Sequence, residues 1–476
     1  MSFSRLWAFL AIALPVLAAI IAPFPSVDLT YHLRAGALIL DTGTIPSVDT
    51  FTFTAARSPW LDQQWLAQVA MAAAFRMAGW TGLVVLRAIL VGVAFGLLFD
   101  LCRRRAASLR VAAWLTLAAF VCAAITLGLR PQLFGIALFA GVLWLVARRH
   151  DALGAAWLVV PLVVAWANVH GSFVLGPAVV GLALVEDLVR RDQRSRATAV
   201  LLLGSVVATV VSPFGIRNWT YVSGISTNSV ITKRITEWQP TSPLTVEGAL
   251  FFLSIVLVAA FLVAASRRGR RVPPTAFLWL VPFAAVGVWA VRGLAWWPFV
   301  AAATVAAIAG GAPAPAARPE RVEPTIVRRL NAAIAVVLVL AGIAALPLWR
   351  PRDPGLQAPA GVVGTAPAGI TAALRDHVKP GDRILAPQPW GSWFEFALPE
   401  ATVAVDSRIE LFSNDVWDAV DRIDAGGSGW QQTLSDWRVT VVVAGPDQRD
   451  LVDRLVGAGW SNAYRDDDGT VLVRTT

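Results

Sequence analysis

Long apolar stretches are the feature that most constrains the fold of this 476-residue chain. Hydrophobic residues make up 57% of the sequence, charged residues make up 15%, and the mean hydropathy is +0.63, a composition outside the soluble globular range. A helix of about 20 apolar residues spans the hydrocarbon core of a bilayer. The sequence therefore predicts a mainly α-helical, polytopic membrane protein. Eleven stretches are predicted as spans: residues 6–23, 80–100, 109–128, 133–148, 152–168, 173–189, 197–213, 247–265, 274–291, 294–311 and 329–348.

Basic residues lie in short clusters between these stretches and predict the orientation of the chain. Lys and Arg concentrate in the cytoplasmic loops of membrane proteins, and eleven spans with a cytoplasmic N-terminus place every cluster on that side. The net charge of +9 is therefore a topology signal and does not indicate nucleic-acid binding. The first stretch could also be a cleavable signal peptide, but the many spans that follow favour a retained span. The clusters lie at residues 103–105, 148–149, 190–191, 267–271 and 328–329.

The first predicted outer loop, residues 24–79, contains the most informative polar segment. Within it, residues 25–43 predict an amphipathic helix that lies in the membrane interface, with an apolar side that includes Leu29, Leu33 and Leu40. Asp28 and His32 are four residues apart, so that a carboxylate and an imidazole share the other face of this helix.

Further polar side chains collect at the predicted outer ends of the spans. Residues 61–79 are apolar but begin with polar residues, and they predict a second interfacial or re-entrant helix, because a span here would move the basic clusters outside. Because all these groups share one surface, we expect any chemistry on that side. Outside the first helix, the candidates for a binding role are Arg130, His170, Lys233, Glu237 and Arg292.

The region after the last predicted span has a different composition. Residues 350–368 are rich in Pro and Gly and predict a linker between a membrane domain, residues 1–349, and residues 369–476. In the latter, short β-rich runs alternate with helical stretches, which predicts a small extracytoplasmic α/β domain. The strands are predicted at 383–386, 402–405, 439–444 and 470–473, and the helices at 370–378, 415–424 and 447–458. Asp406 and Arg408 predict a turn whose charged side chains form a salt bridge with each other and need no further partner.

A membrane core with polar groups at one interface suits the transfer of a sugar from a polyprenyl-phosphate donor. The lipid tail would lie between spans, the phosphate would need cations, and the acceptor hydroxyl would need a general base. Asp28 is the candidate general base. Arg87 lies inside the second predicted span, where a charge is costly, and the sequence does not decide its role. The candidate substrate-binding residues are His32, Arg34, Arg130, His170, Lys233, Glu237 and Arg292. Those proposed to clamp the phosphate are Arg34, Arg130, Lys233 and Arg292, and the guanidinium fork of Arg matches phosphate oxygens.

The chain resembles bacterial polytopic glycosyltransferases of the GT-C superfamily, in the group of dolichyl-phosphate-mannose-type and lipid A sugar transferases. The resemblance extends over nearly the whole chain, on the segments DLTYHLRAG, ILDTGTIPSVDTFTFT, WLDQQWLAQ, RPQ, WANVHGSF, SPFG, EWQP, WGSWFEF and VDSRIELF. It implies a polyprenyl-phosphate-linked sugar donor, an envelope glycan, lipid or protein as acceptor, and a catalytic acidic residue in the first outer loop, which corresponds to Asp28. Many members carry two neighbouring acidic residues there, whereas the next carboxylate along this helix is Asp41. A divalent cation, Mg²⁺ or Mn²⁺, therefore stays open.

Each assignment has a structural alternative. Asp28 could cap a helix that begins at Leu29, His32 and His170 could be interfacial polar residues, and Arg130 could snorkel to the membrane surface. The whole protein could be a transporter or flippase of lipid-linked glycans, in which internal repeats or unwound spans are expected, or a non-catalytic envelope-assembly protein. The crowding of polar residues at one interface favours the transferase.

Overall fold

The structure is a computed structural model that describes residues 1–310 and 323–474. Of the linker that Pro and Ala content predicts at residues 312–325, all but the last three residues lie outside this described part. The backbone alone is described for Ser26, Val27, Ser226, Ser229 and Lys233.

Helices dominate the first 346 residues, and a mixed set of helices and strands follows. The first set is α1 Phe3–Ile21, α2 Ser26–Thr42, α3 Trp65–Arg105, α4 Leu109–Ala123, α5 Pro131–Val146, α6 Leu153–Ala156, α7 Val159–Ala167, α8 Leu175–Val189, α9 Ser195–Ala208, α10 Arg217–Thr227, α11 Ser229–Arg234, α12 Val246–Arg267, α13 Thr275–Trp289, α14 Trp297–Gly310 and α15 Thr325–Ala345. The second set is β1 Arg352–Asp353, β2 Ala358–Pro359, α16 Ala368–His377, β3 Arg383–Leu385, α17 Gln388–Ala397, β4 Thr402–Val403, α18 Asn414–Ala425, α19 Trp430–Asp436, β5 Val441–Ala444, α20 Arg449–Gly457, β6 Trp460–Arg465 and β7 Thr470–Arg474.

Several of these helices have the length and composition of membrane spans. Across residues 1–310 and 323–474, seven helices are long and apolar enough to cross a bilayer: Phe3–Ile21, Trp65–Arg105, Leu109–Thr126, Gly171–Val189, Val246–Arg267, Val291–Gly310 and Thr325–Ala345. Four shorter apolar helices accompany them: Pro131–Val146, Leu153–Ala167, Ser195–Ala208 and Thr275–Trp289. Every stretch predicted as a span overlaps one of these helices. The chain is a multi-pass membrane protein, as predicted.

The long helix α3 joins two elements that the sequence predicts separately. Residues 61–79 predict an interfacial or re-entrant helix and residues 80–100 a span, but both belong to α3, with a break at Ala78 and Gly79. Gly79 has φ 55° and ψ −144°, a conformation that glycine adopts without the steric cost of a Cβ. The glycine therefore lets the helix change direction where the polar loop ends.

The chain divides into two compact units, which are described separately. The helical unit consists of Met1–Ile21, Val84–Val222 and Thr232–Leu346. The loop-and-sheet unit consists of Ala22–Leu83, Ser223–Ile231 and Pro347–Thr476.

The core of the helical unit forms around α14. Its alanines let α4, α12 and α13 pack close to it, and nearly all of its side chains are buried. At its beginning, the ring of Trp296 lies 5.2 Å from that of Phe139 and 6.2 Å from that of Trp166, measured between ring centroids. These aromatic contacts position two segments that carry polar residues, the one that follows Trp166 and the one that precedes Trp296.

A five-stranded sheet with helices forms the core of the loop-and-sheet unit. The strand order is β4-β3-β5-β7-β6, with β3 parallel to β4 and β5, and with β7 antiparallel to β5 and β6. Each strand and helix predicted after residue 369 is found within a few residues of its expected place, so that the predicted α/β architecture is confirmed. Five helices and strands of residues 350–474 were not predicted: β1, β2, α17, α19 and β6.

The first loop, residues 24–79, packs within the same compact unit as this sheet. The backbone N–H of Phe53 donates to the carbonyl of Val403 over 3.0 Å, so that the loop extends the edge of the sheet at β4. Helix α2 packs against α17 and against the first part of α3. At Gly36 a Cβ would lie 2.1 Å from the carbonyl oxygen of Gln68, so this crossing requires glycine.

The prediction that α2 is an amphipathic helix with one apolar and one polar side is wrong in part. Leu29 and Leu33 are buried, as expected for the apolar side. However, His32 from the predicted polar side is only 2% exposed, while Leu40 from the apolar side is 38% exposed. The reason is that α17 and α3 cover the helix with protein, including part of the side that was expected to face water.

Candidate functional site

Asp28, the predicted base, lies in the first turn of α2. The helix begins at Ser26, with Pro25 in the cap position, and Asp28 is half-buried. The alternative in which Asp28 caps a helix that begins at Leu29 is therefore wrong, because the helix starts three residues earlier. A carboxylate in the first turn still interacts favourably with the N-terminal end of the helix dipole.

One turn further along α2, His32 belongs to a buried polar chain. Its Nδ1 lies 3.3 Å from Nε2 of Gln68, and the same Nε2 donates to Oδ1 of Asp62 over 2.7 Å. The ring of Tyr31 lies 3.9 Å from the imidazole ring, measured between centroids. These contacts connect the predicted helix to the start of α3 through side chains that are almost entirely buried.

Asp62 is the most unusual titratable group of this chain of contacts. The carboxyl is 2% exposed, and its Oδ2 has no hydrogen-bond partner among the described residues. Burial raises the pKa of Asp62 to about 7, although the hydrogen bond from Gln68 opposes the shift. Asp62 can therefore gain or lose a proton near neutral pH.

A second buried cluster forms around Arg408, and we call it the Arg408 cluster: Arg408 with Asp406, Asp49 and Glu395. The Nε of Arg408 donates to Asp406 over 2.8 Å, its Nη2 lies 2.8 Å from Oδ1 of Asp49, and its Nη2 lies 3.8 Å from Oε1 of Glu395. The predicted salt bridge within the Asp406–Arg408 turn exists, but the turn is not self-contained. The guanidinium of Arg408 also contacts Asp49 of the first loop and Glu395 of α17.

Aromatic rings and a further cation surround this cluster. The guanidinium of Arg408 lies 4.5 Å from the ring centroid of Trp60 and 4.9 Å from that of Phe51. Arg34, a predicted substrate-binding residue, donates from Nη1 to the carbonyl of Glu395 over 2.7 Å and stacks over the same Phe51. Burial, followed by the charge of Asp406, raises the pKa of the Glu395 carboxyl well above its usual value, so we expect it to be protonated at neutral pH.

In the helical unit, three of the predicted binding residues meet. We call Arg130, Glu237 and Arg292 the Glu237 cluster. Nη1 of Arg130 lies 2.6 Å from Oε1 of Glu237, and Nε of Arg292 lies 3.1 Å from Oε2. Burial alone would raise the pKa of Glu237, but the two arginines outweigh it and hold the pKa below its ordinary value. Two cations and one anion leave this cluster with a net charge of +1.

His170 lies near the Glu237 cluster but is neutral. Burial, and then the positive charges of Arg292 and Arg130, lower the pKa of His170 to about 3. Its Nδ1 accepts the backbone N–H of Ser172 over 3.1 Å, so that Nε2 carries the proton. His170 can therefore donate a hydrogen bond from Nε2 without adding a positive charge.

Two residues that the sequence analysis singled out remain, Arg87 and Lys233. Arg87 is buried within α3, and the side chain of Lys233 lies outside the described part of the structure. Across residues 1–310 and 323–474, no group of three or more His, Cys, Asp or Glu side chains is arranged to hold a metal ion.

Sequence reasoning kept Asp49 and Asp62 only as alternatives to Asp28, and it did not select Glu395 as a site residue. A signal was present, because each of these carboxylates stands in a segment rich in Trp or Phe: VDTFTF, WLDQQW and WGSWFEF. An acidic residue among aromatic neighbours in a chain with few charges indicates a buried carboxylate with a specific partner. The partner Arg408 could not be identified, because it lies far along the chain.

Comparisons with known proteins identify the fold. No protein-family model matches the chain, and no curated protein matches it. Among solved structures, the chain is similar to the archaeal oligosaccharyltransferase AglB from Archaeoglobus fulgidus in complex with an inhibitory peptide and a dolichol-phosphate, with a TM-score of 0.57 and 11% identity. The likeness covers 94% of this chain and 70% of that one.

A second structure of the Archaeoglobus fulgidus oligosaccharyltransferase gives the same result. It is tethered by a disulfide bond to an acceptor peptide that contains the NVT sequon, and it matches with a TM-score of 0.55 and 12% identity over 100% of this chain and 74% of that one. At such low identity the likeness concerns the fold. The chain shares its fold with the archaeal oligosaccharyltransferase, and the predicted fold class, a mainly α-helical polytopic membrane protein with a small α/β domain, is confirmed.

Proposed function

We propose that this chain is a membrane glycosyltransferase that moves a sugar from a polyprenyl-phosphate donor to an extracytoplasmic acceptor. The observation that carries the proposal is the fold likeness over nearly the whole chain to a transferase that was solved with a dolichol-phosphate and with an acceptor peptide. The acceptor is an envelope glycan, lipid or protein. The protein lies in the inner (plasma) membrane, with the N-terminus in the cytoplasm and residues 369–476 outside.

Asp28 is the general base in this proposal. Its carboxylate takes the proton of the acceptor hydroxyl while that oxygen bonds to the anomeric carbon of the sugar, and the bond from this carbon to the phosphate oxygen breaks. The polyprenyl phosphate leaves with the bonding electrons. Asp28 suits the role because it is half-buried in a first helical turn, where it keeps access to solvent and substrate.

The Glu237 cluster is the proposed site for the donor phosphate. Arg130, Arg292 and Glu237 are 21%, 31% and 27% exposed, so the guanidinium groups have access to a ligand. A phosphate that approaches competes with Glu237 for the arginine forks, and the neutral His170 can add a hydrogen bond without changing the charge. Arg34, which donates to Glu395 within the loop-and-sheet unit, is proposed to support the fold around α2.

A divalent cation that binds together with the donor stays part of the proposal. Mg²⁺ uses one or two carboxylates together with substrate phosphates, so it does not need a complete protein site. Asp28 is the candidate ligand, with His32 beside it on α2. Chelation with EDTA tests this point: transfer that stops and returns with Mg²⁺ or Mn²⁺ supports a cation, and unchanged transfer excludes it.

Asp28→Asn is the decisive variant, and Asp41→Asn is its matched control on the same helix. Asp41 is exposed and pairs with Arg76 at the surface, so its loss removes the same charge without touching the proposed base. In proteoliposomes that carry radiolabelled polyprenyl-phosphate sugars and an envelope acceptor fraction, we expect Asp28→Asn to lose about two to four orders of magnitude in transfer rate. Asp41→Asn should stay near the wild-type rate.

Two outcomes would contradict the proposal. Wild-type transfer by Asp28→Asn would remove Asp28 as the base and direct the search to Asp49, Asp62 or Glu237. Movement of a lipid-linked sugar across the bilayer by the wild-type chain, without any bond to an acceptor, would indicate a flippase instead.

A further inference from the structure

The helical unit contains a cavity at the ends of several helices, away from the residues discussed above. It has a volume of 340 Å³ and lies where α3, α5, α8 and α14 end and where α13 begins. We call it the Arg105 cavity. Its polar walls come from Arg105, Arg149, His150, Arg190, Glu186, Thr275, Trp279 and Thr304.

Two of its three arginines are held by acidic residues of α8. Nε of Arg149 lies 3.1 Å from Oδ1 of Asp187, and its Nη2 lies 3.1 Å from Oε2 of Glu186. Nη2 of Arg190 lies 2.7 Å from Oε1 of the same Glu186. Asp187 is fully buried and does not line the cavity. It therefore balances the charge of Arg149 without presenting a carboxylate to the cavity.

Arg105, on the end of α3, is held differently. Its Nη2 donates to the carbonyl of Ala147 over 2.8 Å, and none of the carboxylates in residues 1–310 and 323–474 forms an ion pair with it. The walls thus present three guanidinium groups, the imidazole of His150 and one carboxylate, that of Glu186. Behind the walls, Asp187 and Asp192 contact the imidazole of His150, and Arg194 donates to its backbone carbonyl. With these groups included, four arginines and three carboxylates still leave one positive charge around the cavity.

This surplus is unusual for a cavity between apolar helices. Like charges around a small space repel each other unless an anion lies between them, and the repulsion grows as water is excluded. A structural ion network explains the Arg149–Asp187 pair, but it does not explain why Arg105 also contributes to this wall. An anion in the cavity would balance the charge.

The shape and chemistry of the walls select a phosphate group. Arginine forks match phosphate oxygens bidentately, and the hydroxyl of Thr275 can supply a further donor. The volume has room for roughly ten water molecules, which is enough for a phosphodiester with part of its glycerol. The rest of the wall is aliphatic, from side chains such as Leu101, Leu143 and Ile308, and it suits the beginning of an acyl chain.

We propose that the Arg105 cavity binds a phosphate-bearing anion, either the headgroup of an anionic membrane lipid or a free phosphate ester. Basic pockets between membrane helices on the cytoplasmic side are known sites for such headgroups. The proposed orientation places this end of the helices on the cytoplasmic side. The inference does not depend on the proposed transferase activity, because it concerns a separate set of residues.

The test measures binding to the full chain in detergent micelles by native mass spectrometry and by the thermal midpoint. The probes are phosphatidylglycerol, phosphatidylcholine and glycerol 3-phosphate. The variants are Arg105→Gln and Arg190→Gln, and Arg104→Gln is the matched control. Arg104 is on the same helix end but pairs with Asp100, and it does not line the cavity.

We expect phosphatidylglycerol to bind and to raise the thermal midpoint of the wild type. Arg105→Gln should weaken this binding about ten- to a hundredfold, the usual effect of losing a hydrogen bond to a charged group, and Arg104→Gln should leave it unchanged. If glycerol 3-phosphate binds as tightly and is equally sensitive to Arg105→Gln, the ligand is the soluble ester. If phosphatidylglycerol alone binds, it is the lipid.

Equal affinities of wild type, Arg105→Gln and Arg190→Gln for both anionic probes would overturn the proposal. Equal losses in Arg105→Gln and Arg104→Gln would also overturn it, because they would indicate attraction to the general positive charge of this surface. If Arg105→Gln does not fold, Arg190→Gln gives the decision, because it removes a different guanidinium from the same wall.

Discussion

The two arginine–carboxylate clusters differ most in their access to water. In the Arg408 cluster the guanidinium is 1% exposed and the three acidic side chains around it are fully buried. In the Glu237 cluster the three side chains are between 21% and 31% exposed. The first has one cation for three acidic groups, and the second has two cations for one.

This difference separates a structural ion cluster from a binding site. A fully buried ion network cannot exchange its partners without exposing a bare charge to a medium of low dielectric constant. A partly exposed network with surplus positive charge can release Glu237 and accept a phosphate at moderate cost. We therefore expect changes in the Arg408 cluster to affect folding, and changes in the Glu237 cluster to affect ligand binding.

The largest effect is expected for Arg408→Met. The variant leaves buried carboxylates without their cation, and breaking a buried pair in this way costs about 3 to 5 kcal/mol of unfolding free energy. Chemical unfolding in mixed micelles measures the loss. Arg449→Met, on the exposed start of α20, is the control and should change stability by less than about 0.5 kcal/mol. If Arg408→Met is as stable as the wild type, the distinction between the two clusters is wrong.

Asp62 sharpens the comparison, because it is a buried carboxyl whose hydrogen bond comes from a neutral amide, that of Gln68. Its pKa is raised by burial to about 7 from an ordinary value of 3.8. A raised carboxyl pKa stabilises the fold below the unfolded value, and this contribution is lost as the pH rises through the folded value. We expect the wild type to lose roughly 2 to 3 kcal/mol between about pH 5 and pH 7 relative to Asp62→Asn.

The measurement for Asp62 is a series of unfolding curves against pH for both proteins. Asp62→Asn keeps the size of the side chain and cannot ionise, so this part of the pH dependence should disappear. Identical pH profiles for the two proteins would mean that Asp62 is ionised in the folded state at neutral pH.

Next in size is the effect of Arg130→Ala and of Arg292→Ala on donor binding. Each variant removes charged hydrogen bonds to the proposed phosphate, and affinity for a polyprenyl-phosphate donor should fall by about 1.5 to 3 kcal/mol. Arg34→Ala should leave donor affinity unchanged and should lower the free energy of unfolding instead, because the Arg34 guanidinium donates to the backbone carbonyl of Glu395. Unchanged affinity in both Arg130→Ala and Arg292→Ala would favour the simpler role in which these arginines only snorkel.

The smallest effect on stability is expected for Glu237→Gln. Exposed ion pairs contribute up to about 1 kcal/mol, so the unfolding free energy should fall by no more than this. Donor affinity should rise, because the two arginines lose their competing carboxylate. A loss of stability as large as that of Arg408→Met would show that the two clusters are of the same kind.

Much of the fold follows from local sequence signals. The spans are apolar along their whole length, and the ends of α2 are marked by Pro25 and by Gly43, whose φ of 67° terminates the helix. Strand β6 was missed because its sequence, WSNAYR, alternates weakly and lies at the edge of the sheet. Helix α17 was missed because QPWGSWFEFA is rich in aromatic residues, which favour strands by propensity.

The candidate site was less predictable, for a physical reason. The position of Asp28 on its helix is local information, and so is its spacing from His32. The burial of His32 depends on Gln68, and that of Asp49 on Arg408, which are contacts between distant segments. The pairing of Arg130 and Arg292 through Glu237 depends in the same way on how three loops meet, and periodicity within one segment does not report it.

The packing of α2 against α17 has a consequence for the order of folding. Arg34 and the carbonyl it contacts on Glu395 are 361 residues apart. At a synthesis rate of about 5 to 20 residues per second, the first loop leaves the ribosome roughly 20 to 70 seconds before its partner exists. During this interval the surface around Arg34 has neither α17 nor the sheet edge to cover it. Newly made chains should therefore be vulnerable in this loop to proteases and to wrong partners until the last quarter of the protein has been synthesised.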